Sequence, residues 1–174
     1  MKIAKNALVF GMLIAVSQAA SAHCMVQKYY VGGGVAFTSL PAFDDATGFQ
    51  VLGGYCLDFN FKSPRSKTSV EVGYMDSGQF SREVVRFPGN PNRPRIVETD
   101  TRSFEGVWAA GVGEYHVDRK LHLLGRLGFD AGDDDGLLFG IGMGLNFSRY
   151  AQIRGEYVQR DETESIQMNW ISEF

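Results

Sequence analysis

The chain lacks what a helical membrane protein needs. After residue 22, no apolar run approaches the roughly 20 residues that a spanning helix requires. Cysteine is scarce, with two residues, so no dense disulfide framework holds the chain together. Positive charge is in deficit, with a formal net charge of −3 that becomes more negative once Lys2 and Lys5 are removed, which makes nucleic acid a poor partner. Prolines are few, and three of the five (Pro88, Pro91, Pro94) fall in one short segment, where they exclude a central strand. No His-x-Ser pair stands at either His116 or His122. The acids at Asp130, Asp133, Asp134 and Asp135 do not have the spacing of a calcium loop, so no metal site is expected, and no cofactor motif is present. They read as a solvated loop.

What the chain does have begins at its N-terminus. Lys2 and Lys5 precede a short apolar run, Ala7 to Val16, and then Ala20-Ser21-Ala22. That order is a secretory signal peptide over residues 1–22, with residues 23–174 as the exported domain. His23 precedes Cys24 where a lipoprotein signal wants a small residue, so lipidation is not expected. Export leads to an oxidising space, where Cys24 and Cys56 are allowed to form a disulfide. Two buried free thiols are the alternative, and only geometry decides between them.

Glycine is abundant at 21 residues, and aromatics make up 13% of the chain. The clearest pattern is Gly136 to Ser148, GLLFGIGMGLNFS. Leu137, Phe139, Ile141, Met143, Leu145 and Phe147 fall on one parity, and Gly140, Gly142 and Gly144 on the other. A period of two means a strand, because successive side chains point to opposite faces. A bulky apolar face opposite a small one suits a strand between lipid and a narrow, filled interior. Similar alternation predicts strands over 27–39, 48–61, 68–80, 99–115, 121–130, 151–160 and 164–174. Residues 81–98 read as the longest irregular loop.

Eight strands of about ten residues are long enough to cross a bilayer when tilted. The predicted fold is therefore all-β, an eight-stranded antiparallel up-and-down transmembrane barrel with both termini on the periplasmic side. Closure follows from the solvent, since lipid leaves an open sheet edge unsatisfied. The inward parity is expected to carry Asp58, Glu71, Glu105, His122, Arg126, Arg154 and Glu156, paired as a network that plugs the lumen. A histidine and carboxylate facing each other in that lumen could instead serve as a base. Arg82, Arg86, Arg93 and Arg95 in the long loop offer guanidinium forks for phosphate.

With the signal peptide, the eight alternating segments, the opening Tyr29 to Phe37 and a final phenylalanine, the chain resembles the small outer-membrane barrels of Gram-negative bacteria, the OmpA transmembrane-domain, OmpX and Opa-like group. The resemblance implies a place in the outer membrane, contact with lipid and lipopolysaccharide, and recognition by the barrel-assembly machinery. For that recognition Ile166, Met168, Trp170 and Phe174 match the alternating aromatic-ended strand, while Ser172 departs from it. The implied roles are envelope integrity and adhesion. A lipid A-modifying enzyme of the same fold and a soluble lipocalin-like barrel are the alternatives. The lipocalin requires the opposite polarity, with its apolar side chains inside.

Overall fold

The computed structural model describes residues 28–57, 65–86 and 96–174, with side chains at 85, 86, 96 and 97 excepted. Eight strands run in chain order: β1 (Tyr29–Ser39), β2 (Ala46–Leu57), β3 (Ser66–Arg86), β4 (Ile96–His116), β5 (Leu121–Gly132), β6 (Gly136–Asn146), β7 (Ala151–Gln159) and β8 (Glu164–Glu173). Each pairs antiparallel with its neighbour in sequence, and β1 closes on β8 from Tyr30↔Glu173 to Ser39↔Glu164. The barrel therefore has no free edge around its wall, which is what a sheet immersed in hydrocarbon requires. The expected residues 1–22 and Cys24 lie outside the described residues, as does Asp58. Cys56 is disulfide-bonded and faces inward.

The outer wall is apolar. Phe139, Ile141, Met143 and Leu145 on β6 point outward, as do Leu127 and Phe129 on β5 and Ile166, Met168 and Trp170 on β8. A soluble barrel would bury these side chains, so the lipocalin polarity is excluded. Aromatic pairs sit toward both ends of the belt. Tyr29 with Tyr55 and Phe147 with Trp170 lie near the termini, and Phe49 with Tyr74 lies toward the other end. Such girdles place amphipathic rings at the headgroup level.

Two predictions need correction. Residues 81–98 are not wholly irregular, because β3 and β4 each run for 21 residues and stay paired out to Arg86↔Ile96. The β2–β3 ladder stops at Phe49↔Asp76, and the β4–β5 ladder stops at Gly106↔Gly132. Beyond those points β3 and β4 continue as a two-stranded ribbon. Its eight residue pairs, from Gln79↔Ser103 outward, reach roughly 25 Å along the strand at the usual rise per residue. Pro88, Pro91 and Pro94 fall within 87–95, which lies outside the described residues.

The second correction concerns β4. Its inward residues are Phe104, Trp108, Ala110, Val112 and Glu114, and its outward residues include Glu105, Val107, Ala109, Gly111 and Gly113. Glu105 is thus on the outside of the barrel rather than in the lumen. It lies near the ribbon, beyond the apolar belt, where the Tyr74 hydroxyl donates to Oε2 at 2.7 Å. Bulk on one face and glycine on the other suggested the reverse. On this strand, however, the large ring goes inside, because β3 opposes Trp108 with Gly73, whose missing Cβ leaves the room.

A bulge between Asp76 and Gln79 turns β3 from the barrel wall into the ribbon. Gly78 has φ of 78°, a left-handed conformation that favours glycine. Its N–H donates to Asp76 Oδ1 at 2.8 Å, and Ser77 Oγ accepts the Phe104 N–H at 2.9 Å. The shift brings Phe80 inward to meet Phe104 edge-on at 5.7 Å, with Leu40 and Ala46 beside them. These side chains form an apolar cap over the end of the lumen from which the ribbon projects.

Candidate functional site

The lumen is organised around Glu71 on β3. Its Oε1 accepts the Tyr30 hydroxyl and Arg154 Nη1, both at 2.6 Å, and its Oε2 accepts Arg126 Nη2 at 2.7 Å. Arg126 Nη2 also donates to Glu156 Oε1 at 3.2 Å, and Arg154 Nη2 donates to Glu114 Oε1 at 2.6 Å. Asn169 Nδ2 reaches Glu156 at 3.3 Å, and Gln50 Nε2 donates to Asn169 and Gln167, each at 2.7 Å. Seven of the eight strands are thereby tied across the barrel axis. All of these charged side chains are essentially removed from solvent.

β6 takes part by yielding space. A Cβ at Gly140 would crowd Val158 and touch Arg126, one at Gly142 would press on the Gly155 carbonyl and on Glu156, and one at Gly144 on the His122 ring. The glycine face noticed in the sequence is therefore the seat of charged and aromatic groups from β5 and β7. Aromatic faces complete the packing. The Arg126 guanidinium lies 4.5 Å from the Trp108 ring centroid, and Arg154 lies 5.3 Å from that of Tyr30. These contacts attract the cation where its Nε finds no acceptor.

Of the expected lumen residues, Glu71, Arg126, Arg154 and Glu156 meet in this network. His122 is fully buried but stands apart from it. Neither of its ring nitrogens has a hydrogen-bond partner, and the ring stacks on His116 at 5.3 Å. Tyr30, Glu114, Gln50, Gln167 and Asn169 belong to the network but were not anticipated as members. A second pair, Arg160 Nε to Asp130 Oδ2 at 2.7 Å, lies closer to the capped end. Asp134 there accepts the Thr163 hydroxyl at 2.6 Å and the Glu162 N–H at 2.8 Å. Part of the acidic loop is thus a clamp between two connections, and no group of metal-ligating residues is found among the described residues.

At the projecting ribbon, Arg82 is already engaged. It pairs with Asp100 at 3.2 Å, and its guanidinium lies 4.6 Å over the Phe43 ring. Asp44 N–H bonds to Ser81 O at 2.9 Å, so the β1–β2 connection braces the base of the ribbon. Arg93 and Arg95 lie outside the described residues, as does the side chain of Arg86. At the other end, Phe174 donates its N–H to Tyr29 O at 3.0 Å, which fastens the last residue to the first strand.

No protein-family model and no curated protein sequence matches the chain. Solved structures do match in fold. A de novo designed transmembrane β-barrel aligns with 85% of this chain and 96% of its own, at 15% identity and a TM-score of 0.53. The outer-membrane protein Ail of Yersinia pestis, in a phospholipid bilayer nanodisc, aligns with 85% of this chain and 99% of its own, at 13% identity and a TM-score of 0.51. The fold is that of the small eight-stranded outer-membrane barrels.

Proposed function

We propose that the chain is an outer-membrane protein whose barrel is a non-catalytic anchor for the β3–β4 ribbon, displayed at the cell surface as an interaction element. The observation that carries this reading is the difference in strand length. β3 and β4 have 21 residues each, against 9 to 12 in the other six strands. The excess is a polar ribbon raised well clear of the apolar belt, and a loop held on a rigid scaffold is where binding function usually sits. The 21-residue strands extend from one end of the barrel, and β1 begins and β8 ends at the other, which supports a periplasmic placement for that other end.

The lumen supports the non-catalytic part of the reading. Its carboxylates are each paired with an arginine, and His122 touches neither a serine nor a carboxylate through its ring nitrogens. The barrel wall would contact lipid and lipopolysaccharide, and Ile166, Met168, Trp170 and Phe174 would present the aromatic-ended strand to the assembly machinery. Because Arg82 is held by Asp100, surface contact with anions would fall to Arg86, Arg93 and Arg95.

Replacing residues 83–98 by a two-residue turn tests the reading. Cells displaying the full chain should adhere to cultured epithelial monolayers, and cells displaying the trimmed chain should not. The trimmed chain should still show heat-modifiable migration. Equal adherence by both would overturn it.

A further inference from the structure

Among the described residues, the end of the barrel where β1 begins and β8 ends is open, unlike the capped end. A cavity of about 700 Å³ enters the lumen there, between the Val117–Arg119 and Asn146–Arg149 turns and the first residues of β3 and β7. That is within the usual range for small-ligand sites. Three of the cations around it, Lys67, Arg119 and Arg149, have no side-chain hydrogen bond or ion pair among the described residues. The acids around the same cavity are mostly engaged. Glu114 is bonded by Arg154 Nη2, and Asp118 Oδ1 accepts the Leu121 and Lys120 N–H groups at 2.8 and 2.6 Å. Those two backbone bonds hold the Asp118 carboxyl below the usual carboxylate range, so it stays turned into its own loop. Glu173 is the remaining carboxylate, set against three unengaged cations.

The floor is polar, formed by Gln152 and His116. Behind His116 stacks His122, fully buried with both ring nitrogens unbonded. A concave site with surplus positive charge and imidazole at its base is suited to an oxyanion, and guanidinium forks match a phosphate in particular. The lip carries apolar groups as well. Val117 and Phe147 line the cavity and also face the outer wall, where Phe147 stacks on Trp170. A phosphate reaching the site could thus come from solution or from a lipid whose chains lie against that lip.

We infer that this vestibule is a binding site for a phosphate-bearing anion, held by Lys67, Arg119 and Arg149. None of these three takes part in the lumen network, so removing them leaves the barrel intact.

The test uses the full exported chain in phosphatidylcholine nanodiscs, followed by amide resonances at Lys67, Arg149 and Gln152. One arm titrates inorganic pyrophosphate, and the other replaces part of the phosphatidylcholine with phosphatidylglycerol. A saturable shift in the first arm assigns a soluble phosphate, and a shift in the second alone assigns a lipid headgroup. In either case the triple variant Lys67→Gln, Arg119→Gln, Arg149→Gln should bind about tenfold or more weakly, given what charge-assisted hydrogen bonds contribute. Its heat-modifiable migration should be unchanged. Silence in both arms, an equal response to sodium chloride at matched ionic strength, or undiminished binding by the folded triple variant would each overturn the inference.

Discussion

β4 and β6 are built from the same alternation and use it in opposite ways. β6 sends its bulk outward and its glycines inward, where Gly142 and Gly144 make room for Glu156 and His122. β4 sends Trp108 and Phe104 inward and leaves Ala109, Gly111 and Gly113 on the lipid side. A Cβ at Gly113 would meet nothing within 4 Å. The difference teaches that the lumen of a small barrel has a fixed volume to fill, and that neighbouring strands share the task. Glycine inside is a seat for a neighbour's side chain, whereas glycine outside is a shallow place in the lipid-facing wall.

The comparison can be sharpened by unfolding measurements in denaturant. The largest loss is expected for Glu71→Gln, which leaves Arg126 and Arg154 buried with too little negative charge. Breaking such a network by one partner costs about 3–5 kcal/mol. Gly144→Val, an inward glycine, should cost about 1–3 kcal/mol, because the new side chain collides with His122 in a packed interior. Gly113→Val is the same change on the other wall and should stay within about 0.5 kcal/mol of the parent. An equal penalty at both positions would break the distinction between the two walls. Glu105→Gln should leave the unfolding midpoint unmoved, since this carboxylate lies outside the lumen beside Tyr74.

These expectations mark where the sequence was legible. Eight strands and their apolar belt follow from a period of two, and six of the strands reveal their inward face by setting glycine or charge against bulk. Size alone misleads on β4, because Trp108 is bulky and still faces the axis. Charge does not arbitrate there either, since Glu105 and Glu114 fall on opposite parities of the same strand, one beyond the apolar belt and one in the lumen. The partners of Glu71 were not legible. Arg154 lies 83 residues away along the chain, and the contact depends on the register of every strand between them. The ribbon was hidden for a different reason. The prolines at 88, 91 and 94 obscured two strands that pair to within a few residues of the first and last of them. His122 was expected inside and is there, but no spacing rule shows that its ring nitrogens go unbonded.

The central claim, that charge and the Trp108 ring face the axis while Trp170 and its neighbours face acyl chains, can be read from fluorescence. The chain has two tryptophans, one on each wall. In bilayers whose acyl chains carry bromine, emission from the parent protein should be strongly quenched through Trp170. Emission from the Trp170→Phe variant, which comes from Trp108 alone, should be nearly unaffected. Strong quenching of Trp108 in that variant would put β4 the other way round and contradict the account.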